Sequence, residues 1–154
     1  MQLYCDLDGV LADFDVGYEA LSGAKPNRDS NFDDVDWALV RNTKDFYKNL
    51  PPMPDMQKLW TYIKKYNPPI LTGIPSAGVP EAEGNKRAWV YKNLGSDVTV
   101  ICCLSKDKAN YCTRGDVIID DYPRYRDKWI AAGGIWILHK NAKTTIQRLQ
   151  GLGL

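Results

Sequence analysis

Four short groups of residues in this chain are of types that do chemistry together. Asp6-Leu7-Asp8-Gly9 places two carboxylates two residues apart, directly after the apolar run Leu3 to Cys5, with a glycine that permits a sharp turn. Thr72-Gly73 sets a hydroxyl and a flexible backbone amide after the run Pro69 to Leu71, a pair suited to phosphate oxygens. Lys86 and Arg87, then Lys106 and Lys108, bring positive charge between these groups. Asp120-Asp121 follows Val117 to Ile119, and two adjacent acids repel unless a cation sits nearby, a cost that a divalent metal removes. A carboxylate nucleophile, a second acid, a hydroxyl, a lysine and a carboxylate pair for Mg²⁺ are the parts of a phosphoryl-transfer site. Taken singly, Thr-Gly is an ordinary strand end and each lysine reads as a solvated surface residue. The joint occurrence after successive apolar runs carries the reading.

These groups need elements to position them. Short apolar runs at Leu3 to Cys5, Pro69 to Leu71, Val98 to Cys103, Val117 to Ile119 and Ile135 to Leu138 read as strands of a buried sheet. Helical patterns lie between them. Met56, Leu59, Trp60 and Ile63 recur at helical spacing and predict a helix over Pro54 to Tyr66. Glu81 to Leu94 ends at Gly95, Pro123 to Ala132 opens on an N1-type proline and ends at Gly133, and a last short helix follows Asn141. Alternation of this kind predicts an α/β fold, a Rossmann-like doubly wound parallel sheet with right-handed crossovers, whose ligands sit at the carboxyl ends of the strands. Gly17 to Leu50 holds too many turn signals for a simple crossover, yet it carries Tyr18, Phe32, Trp37, Phe46 and Tyr47. It reads as a small helical cap insertion. The expected division is residues 1–15 and 68–154 as the core, with 16–67 as the cap and its return helix.

Asp6-x-Asp8-Gly9-Val10, then Thr72, then a lysine, then Asp120-Asp121, in this order, resembles the four motifs of the haloacid dehalogenase-like phosphatase superfamily. Asp8 to Phe14, Lys86-x-Ala-Trp-Val, Asp107-Lys108 and Ile119-Asp120-Asp121 are similar to its 5′(3′)-deoxyribonucleotidase branch. The resemblance implies that Asp6 attacks phosphorus and that Asp8 is general acid to the leaving group and then base for water. It implies phosphate binding by Thr72, Gly73, Lys108 and Lys86. Mg²⁺ would be held by Asp6, by Asp8 through its backbone carbonyl, and by Asp120 or Asp121. Lys108 is placed first among the lysines because Asp107 precedes it as in the family, with Lys106 two residues earlier. Dehalogenases of the superfamily lack the second acid, so Asp8 points to phosphate chemistry. The chain departs from the branch at the second motif, reading Thr72-Gly73-Ile74-Pro75 where the branch has Thr-Ser-Pro. The branch also implies that Phe14, Trp37, Phe46 and Tyr47 read the substrate, against the alternative that a small cap needs these aromatics for its own core.

The expected activity is therefore Mg²⁺-dependent hydrolysis of a small phosphomonoester, a nucleoside monophosphate first, with a sugar phosphate or a polynucleotide 3′-phosphate as alternatives. From a different class, a nucleotide-binding or phospho-acceptor module needs an aspartate ending the middle strand, and Val98 to Cys103 runs into Leu104-Ser105 instead. At 154 residues the chain suits one domain with a small insertion. Its 20 basic and 19 acidic residues give a net charge of +1, so no global field favours nucleic acid or a membrane surface. No apolar run approaches a membrane span, and the first residues lack the pattern of a signal peptide, so a cytoplasmic location is expected. Monomer and homodimer stay open. Cys5, Cys102, Cys103 and Cys112 form no zinc pattern and read as reduced, buried thiols, and His139 reads as a surface or edge residue.

Overall fold

The five apolar runs form five parallel strands. In the computed structural model, which describes all 154 residues, they are β1 (Leu3–Cys5), β2 (Ile70–Gly73), β3 (Val100–Cys103), β4 (Val117–Asp120) and β5 (Ile135–Leu138). They stand in the order β3-β2-β1-β4-β5, the doubly wound α/β arrangement that the alternating pattern predicts. The chain winds outward from β1 to β2 and β3, then returns to the other side of β1 for β4 and β5. The order therefore reverses between β1 and β4, and in open parallel sheets the crevice above such a reversal is where ligands bind. Cys5 pairs with Ile119, so Asp6 and Asp120 leave these two strands side by side.

Six helices connect and cover the strands: α1 (Phe14–Ser22), α2 (Trp37–Asn42), α3 (Met56–Ile63), α4 (Ala82–Asn93), α5 (Arg126–Ala131) and α6 (Ala142–Gly151). Side chains of a strand alternate between faces. Leu3, Cys5, Ile70, Val117, Ile119 and Ile137 join Leu59 and Ile63 of α3, Trp89 of α4 and Leu149 of α6 in one large core. Leu71, Ile118 and Trp136 face the other way and pack with Trp129 of α5. Met56, Leu59, Trp60 and Ile63 are buried together as their spacing requires, and burial of each stabilises by about 1.5–3 kcal/mol. Between α1 and α2 the chain makes turns instead of a third helix. Asn31 and Phe32 there have left-handed φ values of 56° and 61°, unfavourable for a phenylalanine.

Three expectations need correction. Cys102 and Cys103 are half-buried, because β3 is an edge strand and one side of it meets solvent, while Cys5 on central β1 is fully buried. His139 is buried, at 4% exposure, with Nδ1 sharing a hydrogen bond of 2.8 Å with the Thr145 hydroxyl of α6; burial lowers its pKa. The helix expected over Pro123 to Ala132 divides into a 3₁₀ turn at Pro123–Tyr125 and α5 at Arg126–Ala131; a further 3₁₀ helix, Ser105–Tyr111, follows β3. No helix is long and apolar enough to cross a membrane.

Candidate active site

The site is built on the carboxyl ends of β1, β2 and β4. After Cys5 the chain leaves β1, and the Leu7 carbonyl accepts hydrogen bonds from the amides of Leu11 (2.8 Å) and Ala12 (3.0 Å), folding residues 6–12 into a tight loop over buried Leu7, Val10 and Leu11. Gly9 has φ +80°, and any Cβ there would overlap the Asp121 carboxylate. The glycine thus allows both the turn and the close approach of the first acidic group to the last. Gly73 is under a similar constraint, since a Cβ would overlap the Ser105 hydroxyl.

Four carboxylates, from Asp6, Asp8, Asp120 and Asp121, face three cations in this crevice. Lys108 Nζ lies 2.9 Å from Asp6 Oδ1 and 2.8 Å from Asp120 Oδ2. Lys86 Nζ lies 2.5 Å from Asp8 Oδ2, 2.8 Å from the Gly73 carbonyl oxygen and 3.2 Å from Thr72 Oγ1. Arg28, from the turns after α1, donates to Asp121 Oδ2 at 2.6 Å and to both oxygens of Asp15. Lys86 and Lys108 are therefore not solvated surface lysines; each is buried against acids.

Burial pushes the carboxyl of Asp120 up to about 6 and that of Asp121 up to about 8, with the neighbouring charge of Asp6 adding to both shifts and that of Asp120 adding to the second. Burial also raises the Asp8 carboxyl, against the pull of Lys86. Burial alone would lower the Lys108 ammonium, but Asp120 and Asp6 outweigh it and hold it well above the ordinary lysine value. Carboxylates crowded to this degree suit a divalent cation. Asp6, Asp120 and Asp121 each offer an oxygen, all within 4.8 Å of one another, and an all-oxygen donor set matches a hard ion such as Mg²⁺.

A cavity of about 710 Å³ opens over this crevice. Asp6, Asp8, Gly73, Lys108, Asp120 and Asp121 form its floor; Thr72 is fully buried just beneath. Phe14, Trp37 and Tyr47 line its walls, whereas Phe46 sits behind them, buried edge-to-face against Phe14. Phe14 is the hub of this aromatic group, within 6.2 Å of Tyr18, Phe32, Trp37, Phe46 and Tyr47, centroid to centroid.

Arg28, Asn31, Phe32 and Tyr122, which are not among the site residues expected from the sequence, also line the cavity. Arg28 stacks over the Phe32 ring, Phe32 meets Tyr122 edge-to-face, and the Tyr122 hydroxyl donates to Asn31 Oδ1. These contacts tie residues 28–32 to the end of β4. Tyr122 follows Asp120-Asp121 directly and is marked by that position; Arg28 and Phe32 lie among turn residues and carry no pattern that marks them.

No family model and no curated protein sequence matches the chain. A solved structure, that of a hydrolase from Streptococcus pneumoniae TIGR4, is similar over 97% of this chain and 97% of that one, with a TM-score of 0.50 and 14% sequence identity. At that identity the likeness is one of fold.

Proposed function

We propose that the chain is a hydrolase, a Mg²⁺-dependent phosphomonoesterase that works through an aspartyl-phosphate on Asp6. The observation that carries this reading is the donor count in the crevice. A lysine ammonium has three protons to give, and Lys108 spends two, on Asp6 and Asp120, keeping one for a phosphoryl oxygen. Thr72 accepts from Lys86 through Oγ1 and keeps its own proton to donate. A tetrahedral anion above Asp6 would thus meet the Lys108 ammonium and the Gly73 backbone at the cavity floor, with the buried Thr72 hydroxyl just beneath them. Bound Mg²⁺, held by Asp6, the Asp8 carbonyl and Asp120 or Asp121, would offset the charge of the phosphoryl group.

In the first step Asp6 attacks phosphorus through Oδ2, the oxygen that Lys108 does not occupy, while the bond to the leaving oxygen breaks. Asp8 gives that oxygen a proton, so the leaving group departs as an alcohol. In the second step Asp8, now a carboxylate, takes a proton from water as the water oxygen bonds to phosphorus. The Asp6–phosphorus bond breaks, and inorganic phosphate and both aspartates are restored. The similar solved structure, a hydrolase by name, supports a hydrolytic use of the fold.

A nucleoside monophosphate is the proposed substrate. The resemblance to the deoxyribonucleotidase motifs supports it, as do Phe14, Trp37 and Phe32 along the cavity wall, where an aromatic base has rings to stack on. Residues 16–67 would supply the cap and its return helix: residues 28–47 lie over the crevice, and α3 returns the chain to the core of the sheet.

The test is phosphate release from a panel of ribo- and deoxyribonucleoside 5′- and 3′-monophosphates and sugar phosphates, with Mg²⁺ or EDTA. Metal-dependent release, strongest for deoxynucleotides, is the expected result. Release from sugar phosphates alone would discard the nucleotide assignment and keep the chemistry. No release from any of them would remove the phosphomonoesterase reading.

A further inference from the structure

All three donor protons of Lys86 are spent inside the protein, on Asp8 Oδ2, the Gly73 carbonyl and Thr72 Oγ1. Its side chain is 1% exposed, and the Tyr47 ring covers the ammonium with its centroid 4.6 Å from Nζ. A phosphate oxygen entering the crevice finds a free donor at Lys108 and none at Lys86. The carboxyl of Asp8, in turn, has a single hydrogen bond. Lys86 makes it, on the oxygen of a side chain that is 24% exposed, and the other oxygen, Oδ1, is buried without a partner.

We propose that Lys86 and Tyr47 are positioning residues for Asp8: Lys86 holds the acid at the cavity floor and stabilises the carboxylate left when its proton goes, and Tyr47 closes the ammonium off from water. The inference rests on the reading of the site as a phosphomonoesterase. In phosphoryl transfer to Asp6, the bond between phosphorus and the leaving oxygen breaks and the proton of Asp8 moves to that oxygen. Asp8 is left as an anion beside a fixed cation, the state an ion pair favours most. Removing the lysine would strip Asp8 of its only anchor and its only cation in direct contact. Tyr47 comes from the chain after α2, and its ring also stacks on Phe14, so the aromatic group over the cavity has a share in holding the acid.

The experiment compares two esters that differ in how much they need an acid. The group that leaves methyl phosphate, methoxide, is a strong base and needs a proton; the group that leaves p-nitrophenyl phosphate, p-nitrophenolate, is a stable anion and does not. In Lys86→Met, kcat/KM for methyl phosphate is expected to fall by about 10²-fold, within the usual range for a general acid, and that for p-nitrophenyl phosphate by less than about tenfold. Tyr47→Leu should shift the ratio of the two in the same direction by less, and Tyr47→Phe, which keeps the ring face, should hold the wild-type ratio. Tyr47→Leu carries the same test if Lys86→Met does not fold. Inhibition by inorganic phosphate should change little in either variant. Equal losses on both esters, with weaker inhibition by phosphate, would make Lys86 a phosphate ligand and overturn the inference while leaving the phosphatase reading in place. If the wild-type protein releases phosphate from neither ester nor any other member of the substrate panel, the reading and the inference fall together.

Discussion

The floor and the roof of the cavity are made in different ways. The floor comes from strand ends: Asp6, Thr72 and Asp120 each stand at the carboxyl end of a strand whose register with its neighbours is set by backbone hydrogen bonds. The roof comes from turns and two helices, where Arg28, Phe32, Trp37 and Tyr47 are held by side-chain contacts to one another and to the floor. A backbone-held floor fixes reacting groups to fractions of an ångström, as bond making requires. A roof held by side chains tolerates different shapes over the same chemistry. On this account the floor determines whether phosphate is transferred, and the roof determines from what.

Breaking the floor should have the largest effects. Asp6→Asn removes the attacking oxygen's charge and should lower kcat by about 10⁴-fold or more, measured as phosphate release under saturating Mg²⁺. Retained turnover would place the nucleophile elsewhere. Lys108→Met removes one donor to the transferring group and should cost about 10²–10³-fold in kcat. If it alters only KM, Lys108 assists binding and not the reaction.

Changes in the roof should be smaller and fall on a different parameter. Phe32→Ala and Trp37→Ala each remove a ring from the cavity wall and should raise KM for a nucleotide by about tenfold, the loss of roughly one stacking contact, with KM for p-nitrophenyl phosphate little changed. Equal effects on both substrates would mean that the rings support the fold of the roof and do not touch a base.

A fourth prediction concerns metal and pH. Asp120 and Asp121 have carboxyl pKa values raised to about 6 and about 8 from an ordinary 3.8. A raised pKa means that the folded state binds the proton more tightly than the unfolded one. The contribution of these acids to stability is therefore full below the ordinary value and is lost as pH rises through about 8. A divalent cation removes that penalty, so the rise in Tm on replacing EDTA with Mg²⁺ should be larger at pH 8 than at pH 5, by a few degrees at about 2–4 °C per kcal/mol. A larger rise at pH 5 would exclude these acids as the metal site.

The same contrast governs what could be read from the residues alone. A carboxylate directly after a buried apolar run is at a strand end whatever the exact boundary. For that reason Asp6, Asp120 and the parallel sheet were legible, even though β2 runs two residues further than its apolar pattern. The difference between Lys86 and Lys108 was not. Lys86 lies within the helical pattern of α4 and Lys108 just past the third apolar run, and what separates them is how many of their protons are already used, a property of three-dimensional neighbours. Arg28 was illegible for a similar reason: its partner Asp121 lies 93 residues away, and the turns that carry it have no period. Phe46 illustrates the converse, since an aromatic next to Tyr47 faces away from the cavity while its neighbour lines it. His139 sits one residue past β5 with its ring against α6, a packing that no local pattern announces.

The measurement that bears most directly on the central claim is capture of the covalent intermediate. The wild-type protein would be mixed with Mg²⁺ and a nucleoside monophosphate labelled on phosphorus, quenched in acid within one turnover, and digested for peptide mapping. Label is expected on the amino-terminal peptide containing Asp6 and is absent in Asp6→Asn. Label on another aspartate, or full turnover in Asp6→Asn with no labelled peptide in either protein, would contradict it.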